Sequence, residues 1–150
     1  MQLNETFKTR LTERLATLHT RGAGTIGDML DLRLVDCDLE KGEFTMQACT
    51  QEWMRNIAGT LHGGMCATLM DQSMGCVAYC AMPGEGIAPT IDLQVSYHRP
   101  LIPGEDALVA VKVVSVTRSL ITLSAETALP SAPEKACMTA TATFFYKPET

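Results

Sequence analysis

The chain has 150 residues, 46% of them apolar and 19% charged, with a formal net charge of −5. That balance suits a globular domain long enough to bury a core, and the acidic excess with no run of Lys or Arg excludes a general nucleic-acid surface. The six cysteines, at 37, 49, 66, 76, 80 and 137, include no Cys-x-x-Cys pair and no His at zinc-ligand spacing, so they read as reduced structural thiols and not as a disulfide framework or metal site.

The opening Met1-Gln-Leu-Asn-Glu-Thr-Phe-Lys has neither a basic start followed by an apolar core nor a small-residue cleavage site, and a cytoplasmic location is expected. Leu3, Phe7, Leu11, Leu15 and Leu18 recur at four- and three-residue steps, which predicts an amphipathic helix over residues 1–22. A Gly-rich turn from Gly22 to Gly27 follows. Met29 to Asp38 then alternates apolar and polar residues, and Glu40-Lys41-Gly42-Glu43 turns it back into Phe44 to Thr50 as a β-hairpin.

The next segment places a lone carboxylate in an uncharged helix. From Met65 to Met82 the only formal charge is Asp71, and its neighbours at helical spacing are Ala67, Thr68, Met74 and Gly75, so no Lys or Arg on that helix can neutralise it. A carboxylate in such surroundings is costly, which makes Asp71 a functional candidate. Thr68, Asp71, Gln72 and Ser73 interrupt the apolar run and Met82-Pro83-Gly84-Glu85-Gly86 closes it, predicting a buried core helix and not a membrane span.

Four strand-like runs complete the chain: Ala88 to His98, Ala107 to Val116, Leu120 to Leu129 and Ala136 to Tyr146. Their turns carry Arg99-Pro100 through Pro103-Gly104, Arg118-Ser119, and Pro130 to Pro133. Val109, Val111, Val113 and Val116 fit the inner face of a sheet. The expected fold class is α+β in one domain over residues 1–150, an antiparallel sheet folding around the long helix, with an additional N-terminal helix.

Asn56, Gly59, His62-Gly63-Gly64 and Asp71, with the later Thr90-Ile-Asp-Leu-Gln-Val-Ser-Tyr-His-Arg-Pro, Pro103-Gly104-Glu105 and Val116-Thr-Arg-Ser, resemble the hotdog-fold acyl-CoA thioesterases of the phenylacetate-degradation type. The resemblance covers residues 28–146. It implies hydrolysis of an acyl-CoA to a free acid and coenzyme A, without metal or redox cofactor. Asp71 is then the base or the direct nucleophile, and the Gly63 N–H donates to the oxyanion. His62 holds the thioester sulfur or orients the acyl group, Asn56 contacts the His or the reacting water, and Thr90 helps place that water. Arg99, Arg118 and Ser119 are candidates for the phosphate and adenine end of coenzyme A, whereas His19 and His98 read as surface or core-edge residues.

The chemistry agrees with this assignment. Thioester hydrolysis needs an activated water and a donor for the developing oxyanion, and a glycine-opened helix start offers free N–H groups to a closely approaching carbonyl. Nine residues of helix rise about 13 Å and rotate a half turn beyond two full turns, so His62 and Asp71 of one chain point apart. If both act, each site takes one from each of two chains, which matches the dimer the resemblance implies, alone or as a dimer of dimers. Two other functions fit the same residues less well: a hotdog-fold dehydratase or hydratase, whose Pro-Gly-His-Phe-type opening is missing, and a non-catalytic acyl-CoA sensor. Met65, Met70, Met74 and Met82 are candidates to line an adaptable acyl pocket.

Overall fold

The computed structural model describes residues 3–82 and 86–146. Its element order is α1 (Glu5–Thr20), α2 (Ile26–Met29), β1 (Arg33–Asp38), β2 (Glu43–Cys49), a 3-10 turn (Glu52–Met54), α3 (Gly63–Ala81), β3 (Thr90–Tyr97), β4 (Asp106–Val116), β5 (Leu120–Ala128) and β6 (Met138–Phe145). The strands form a single antiparallel sheet in the order β1-β2-β4-β5-β6-β3.

Helix α3 enters the chain between β2 and β3 and lies along the concave face of that sheet. Leu69, Met70, Met74, Val77 and Ala78 are fully buried there with Val109, Ile121, Leu123 and Ala142 from the strands. This is the α+β architecture expected from the strand-and-helix order, and it is the hotdog arrangement that the resemblance implies. The closing turn assigned to Met82–Gly86 lies partly outside the described residues. Among the described residues, no helix is long and apolar enough to cross a membrane.

Helix α1 starts where the Asn4 side chain accepts from the Phe7 N–H at 3.1 Å. Its apolar stripe, Phe7, Leu11, Leu15 and Leu18, is buried. Phe7 meets Phe44 with ring centroids 5.1 Å apart, so α1 covers the side of α3 that the sheet leaves open.

Two local expectations change. The Gly-rich turn and the start of the first predicted strand contain α2, so Met29 is helical and β1 begins only at Arg33. Val116 does not join the inner face, because the β4–β5 register shifts between Val113 and Ser115 and turns the following side chains over. Val114 and Val116 are exposed as a result, while Val109 and Val111 are buried.

All six cysteines are free. Met70, Met74 and Met82 are core residues, and none of the four candidate methionines lines the cavity beside Asp71. The Met70 sulfur accepts from the buried Thr127 hydroxyl at 3.0 Å.

Candidate active site

His62 has extended backbone and caps α3, its Nδ1 accepting from the Gly64 N–H at 3.0 Å. A neutral imidazole that accepts at Nδ1 carries its proton at Nε2, so the exposed ring offers a donor there. The Gly63 N–H belongs to the first turn and has no intrahelical acceptor. No hydrogen bond occupies it among the described residues, while the Gly63 carbonyl accepts from Tyr97 Oη at 2.9 Å. Burial pushes the Tyr97 phenol up, which keeps it a donor at neutral pH. The Cys66 thiol, in the first turn of the same helix, is pushed up to about 11 by burial, too high for a thiolate nucleophile near neutrality.

Asp71 is half-buried. The partner that the helix itself cannot supply comes from the first residue of β3: Thr90 Oγ1 donates to Asp71 Oδ1 at 2.7 Å. The pair opens onto a cavity of about 260 Å³ whose wall includes Gly75, Tyr79, Ile87, Phe144 and Arg14. Tyr97 and Thr90 thus mark two separate places. They stand seven residues apart on β3, roughly 23 Å of extended chain, one at Gly63 and the other at Asp71.

Residues 58–127, which carry Gly63, Asp71 and Thr90, match the model of the thioesterase superfamily. The chain has the hotdog fold, and this segment is similar to that superfamily. Acyl-coenzyme A thioesterase 13 of Homo sapiens is 31% identical over 81 residues, 53% of this chain and 56% of the relative, and the Pongo abelii protein of the same name matches equally. The match therefore spans little more than half the length of these curated relatives. Among solved structures, thioesterase superfamily member 2 of Mus musculus superposes with a TM-score of 0.73 at 19% identity, covering 93% of this chain and 96% of that one. A phenylacetic acid degradation-related protein of Ralstonia eutropha gives 0.73 at 19% identity over 88% and 98%. A Streptococcus mutans protein solved with acetyl CoA gives 0.66 at 21% identity over 79% and 90%.

The remaining predicted residues lie apart from the Asp71 cavity. Asn56 organises its own loop: Oδ1 accepts from the Ala58 N–H at 2.9 Å and the Thr60 N–H at 3.1 Å, while Nδ2 donates to Thr60 Oγ1 at 2.8 Å. Gly59 completes that loop at φ +86°, where a side chain would be strained. Arg99 donates from Nη1 to the Ala136 carbonyl at 2.7 Å. Arg118 is exposed at the β4–β5 turn, and the neighbouring Ser119 carbonyl accepts from the Tyr146 N–H. His98 bonds Thr139 Oγ1, and His19 lies between Asp28 and Asp31. Arg14 and Tyr79, which do line the cavity, were not among the predicted site residues. Among the described residues, no group of three or more His, Cys, Asp and Glu side chains is arranged to hold a metal ion.

Proposed function

We propose that this protein is an acyl-CoA thioesterase acting on a medium-chain or aromatic acyl group, with Asp71 as general base in a site completed by a second copy of the chain. The observation that carries this is the Asp71–Thr90 pair at 2.7 Å, which lies inside the family-matched segment and opens onto a cavity. Asp71 takes a proton from water as the oxygen attacks the thioester carbon, and the Gly63 N–H of the facing chain receives the oxyanion. Collapse of the adduct breaks the C–S bond, releases the carboxylic acid and leaves the proton to the departing coenzyme A thiol. Thr90 holds the carboxylate and positions the water. His62 Nε2–H meets the acyl thioester, and Asn56 stiffens the loop that leads to it.

The shared site is supported by the distance between Gly63 and Asp71 and by the surface around them. β3 is an edge strand carrying Ile91 and Tyr97, 58% and 54% exposed, and Ile57 beside the helix start is fully exposed. An uncovered apolar edge is a template for pairing. Pairing β3 with its two-fold copy covers this edge and sets two α3 helices antiparallel, as a dimer or as half of a dimer of dimers. Arg99, Arg118 and Ser119, at turns outside the cavity, are retained as candidate contacts for the coenzyme's nucleotide. The curated relative's name, acyl-coenzyme A thioesterase 13, supports the substrate class, as does the acetyl CoA bound to the Streptococcus mutans protein.

Thiol release from a panel of aliphatic and aromatic acyl-CoA thioesters, measured for wild type and Asp71→Asn, tests the proposal. Wild type is expected to turn over. The Asn variant should lose roughly 10²–10⁴-fold, the usual worth of a general base, with its unfolding midpoint close to wild type. Binding without cleavage by the wild-type protein would instead favour an acyl-CoA sensor, and an active Asn variant would remove Asp71 from the mechanism.

A further inference from the structure

The Asp71 cavity has a second charged wall. Asp71, Gly75 and Tyr79 follow each other at four-residue spacing on one face of α3, so the cavity runs about 12 Å along the helix from the carboxylate to Tyr79. Between them Gly75 adds no side chain, and the Phe144 ring forms the wall 3.5 Å from where a Gly75 Cβ would stand. At the far end the Arg14 guanidinium from α1 lies over the Tyr79 ring, 4.1 Å from its centroid.

Among the described residues Arg14 has no counter-charge. No carboxylate lies within ion-pair distance of it among the described residues. Its Nε is buried without a hydrogen-bond acceptor. The buried Cys76 thiol, which burial pushes up and keeps neutral, hydrogen-bonds the Arg14 side chain, and Cys80 lies near it as well. Asp71 lines the same cavity but stays beyond ion-pair distance. On α1, Arg10, Arg14 and Arg21 fall at spacings of four and seven and line a second cavity of about 490 Å³, which shares the Arg14–Tyr79 wall with the first. A guanidinium with no carboxylate partner among the described residues, at the far end of a cavity that begins at Asp71, is suited to receive an anionic group.

We propose that Arg14 reads the distal end of the acyl group, and that the preferred substrates are thioesters whose acyl chain ends in a carboxylate. This rests on the thioesterase reading of Asp71. The 260 Å³ of the first cavity lies below the usual range for drug-sized ligands, about 300–1,000 Å³, and suits a medium-length acyl chain better than a coenzyme. With the thioester carbon at Asp71, the chain passes Gly75 and delivers its terminal carboxylate to Arg14, which then gains the counter-charge it lacks. A methyl-terminated chain offers the guanidinium no acceptor.

The test uses four thioesters: a methyl-terminated and an ω-carboxyl acyl chain of equal length, each on coenzyme A and on the phosphate-free thiol N-acetylcysteamine. Wild type should favour the ω-carboxyl chain by about tenfold or more in kcat/KM on both thiols, because a site built for a polar end rejects the analogue without it. Arg14→Leu should collapse that ratio on both thiols, and Arg14→Lys should keep part of it. A wild-type ratio of one or below would overturn the proposal. So would a loss in Arg14→Leu that follows the coenzyme and not the acyl end, which would assign the guanidinium to phosphate, or an equal loss on all four. Calorimetric binding of non-hydrolysable thioether analogues of the two coenzyme A thioesters separates the layers. The same ω-carboxyl preference without turnover would keep Arg14 and sink the hydrolase, whereas binding without preference would sink Arg14 whatever the turnover.

Discussion

A Cβ placed on Gly63 meets only the Tyr97 ring and hydroxyl, at 3.7 to 3.9 Å, which is ordinary contact. Folding therefore tolerates alanine, and the damage should fall on a reaction whose carbonyl must approach this backbone closely. Alanine keeps the N–H, but its methyl holds the oxyanion off it. Gly63→Ala is therefore expected to lower kcat by up to roughly 10²–10³, the worth of one oxyanion donor, with KM little changed. Steady-state kinetics beside a thermal melt check this; a raised KM at full turnover would assign Gly63 to substrate access. Thr90 makes a complementary case, since its hydroxyl and not its bulk holds Asp71 at 2.7 Å. Thr90→Val should cut the rate about tenfold, Thr90→Ser should restore it, and failure of the serine rescue would leave Thr90 a strand residue only. Asp71 and His62 are visible in the sequence because each contrasts with its surroundings, a lone charge in an apolar helix and a His before two glycines. Arg14 is not, because arginines on an amphipathic helix read as solvent-facing. Its signal is its position, three residues after Leu11 and four before Leu18, within the apolar stripe. Asn56 is equally visible beside His62-Gly63-Gly64, and its side-chain hydrogen bonds are made within its own loop.

The elements that hold the site have their own chemistry. The C-terminal turn of α1 is tied to α2 and the entry of β1 through His19, whose Nδ1 lies 3.1 Å from Asp28 and whose Nε2 lies 3.1 Å from Asp31. Asp31 in turn pairs with Arg33 at 2.7 Å. The Gly24 N–H first, and then His19, hold the Asp28 carboxyl below its ordinary value of 3.8. A carboxyl depressed in the folded state stabilises it above the unfolded value and loses that contribution as pH falls through the folded one. The difference in unfolding free energy between wild type and Asp28→Asn should therefore be present around pH 5 and close as pH drops below 3.8. Urea titrations of both proteins across that range measure it, and a difference that persists in acid would assign Asp28 a role independent of its charge. Most elements were legible because period-2 runs bounded by Gly and Pro leave little choice, as in Asp106–Val116 and Leu120–Ala128. Helix α2 was hidden, since four residues are too few to show a helical period, and so was the β4 bulge, which a run of valines gives no reason to expect.

At the scale of the whole molecule, one chain holds Gly63 and Asp71, the two centres of the proposed chemistry, apart. Gly63 is tied to one end of β3 and Asp71 to the other, and β3 is an open edge with exposed apolar side chains. The helical offset between His62 and Asp71 was already decided by the sequence spacing, whereas the exposed edge required the strand order. The central claim, that each active site borrows from two copies, is tested most directly by restoring activity from two inactive proteins. His62→Ala and Asp71→Ala subunits are unfolded together, refolded in equal amounts and checked for exchange by native mass. About half the dimers are then mixed, each with one doubly defective and one intact site, so about a quarter of wild-type activity should return. Activity that remains at the single-mutant background, with mixed dimers confirmed, would contradict the shared site.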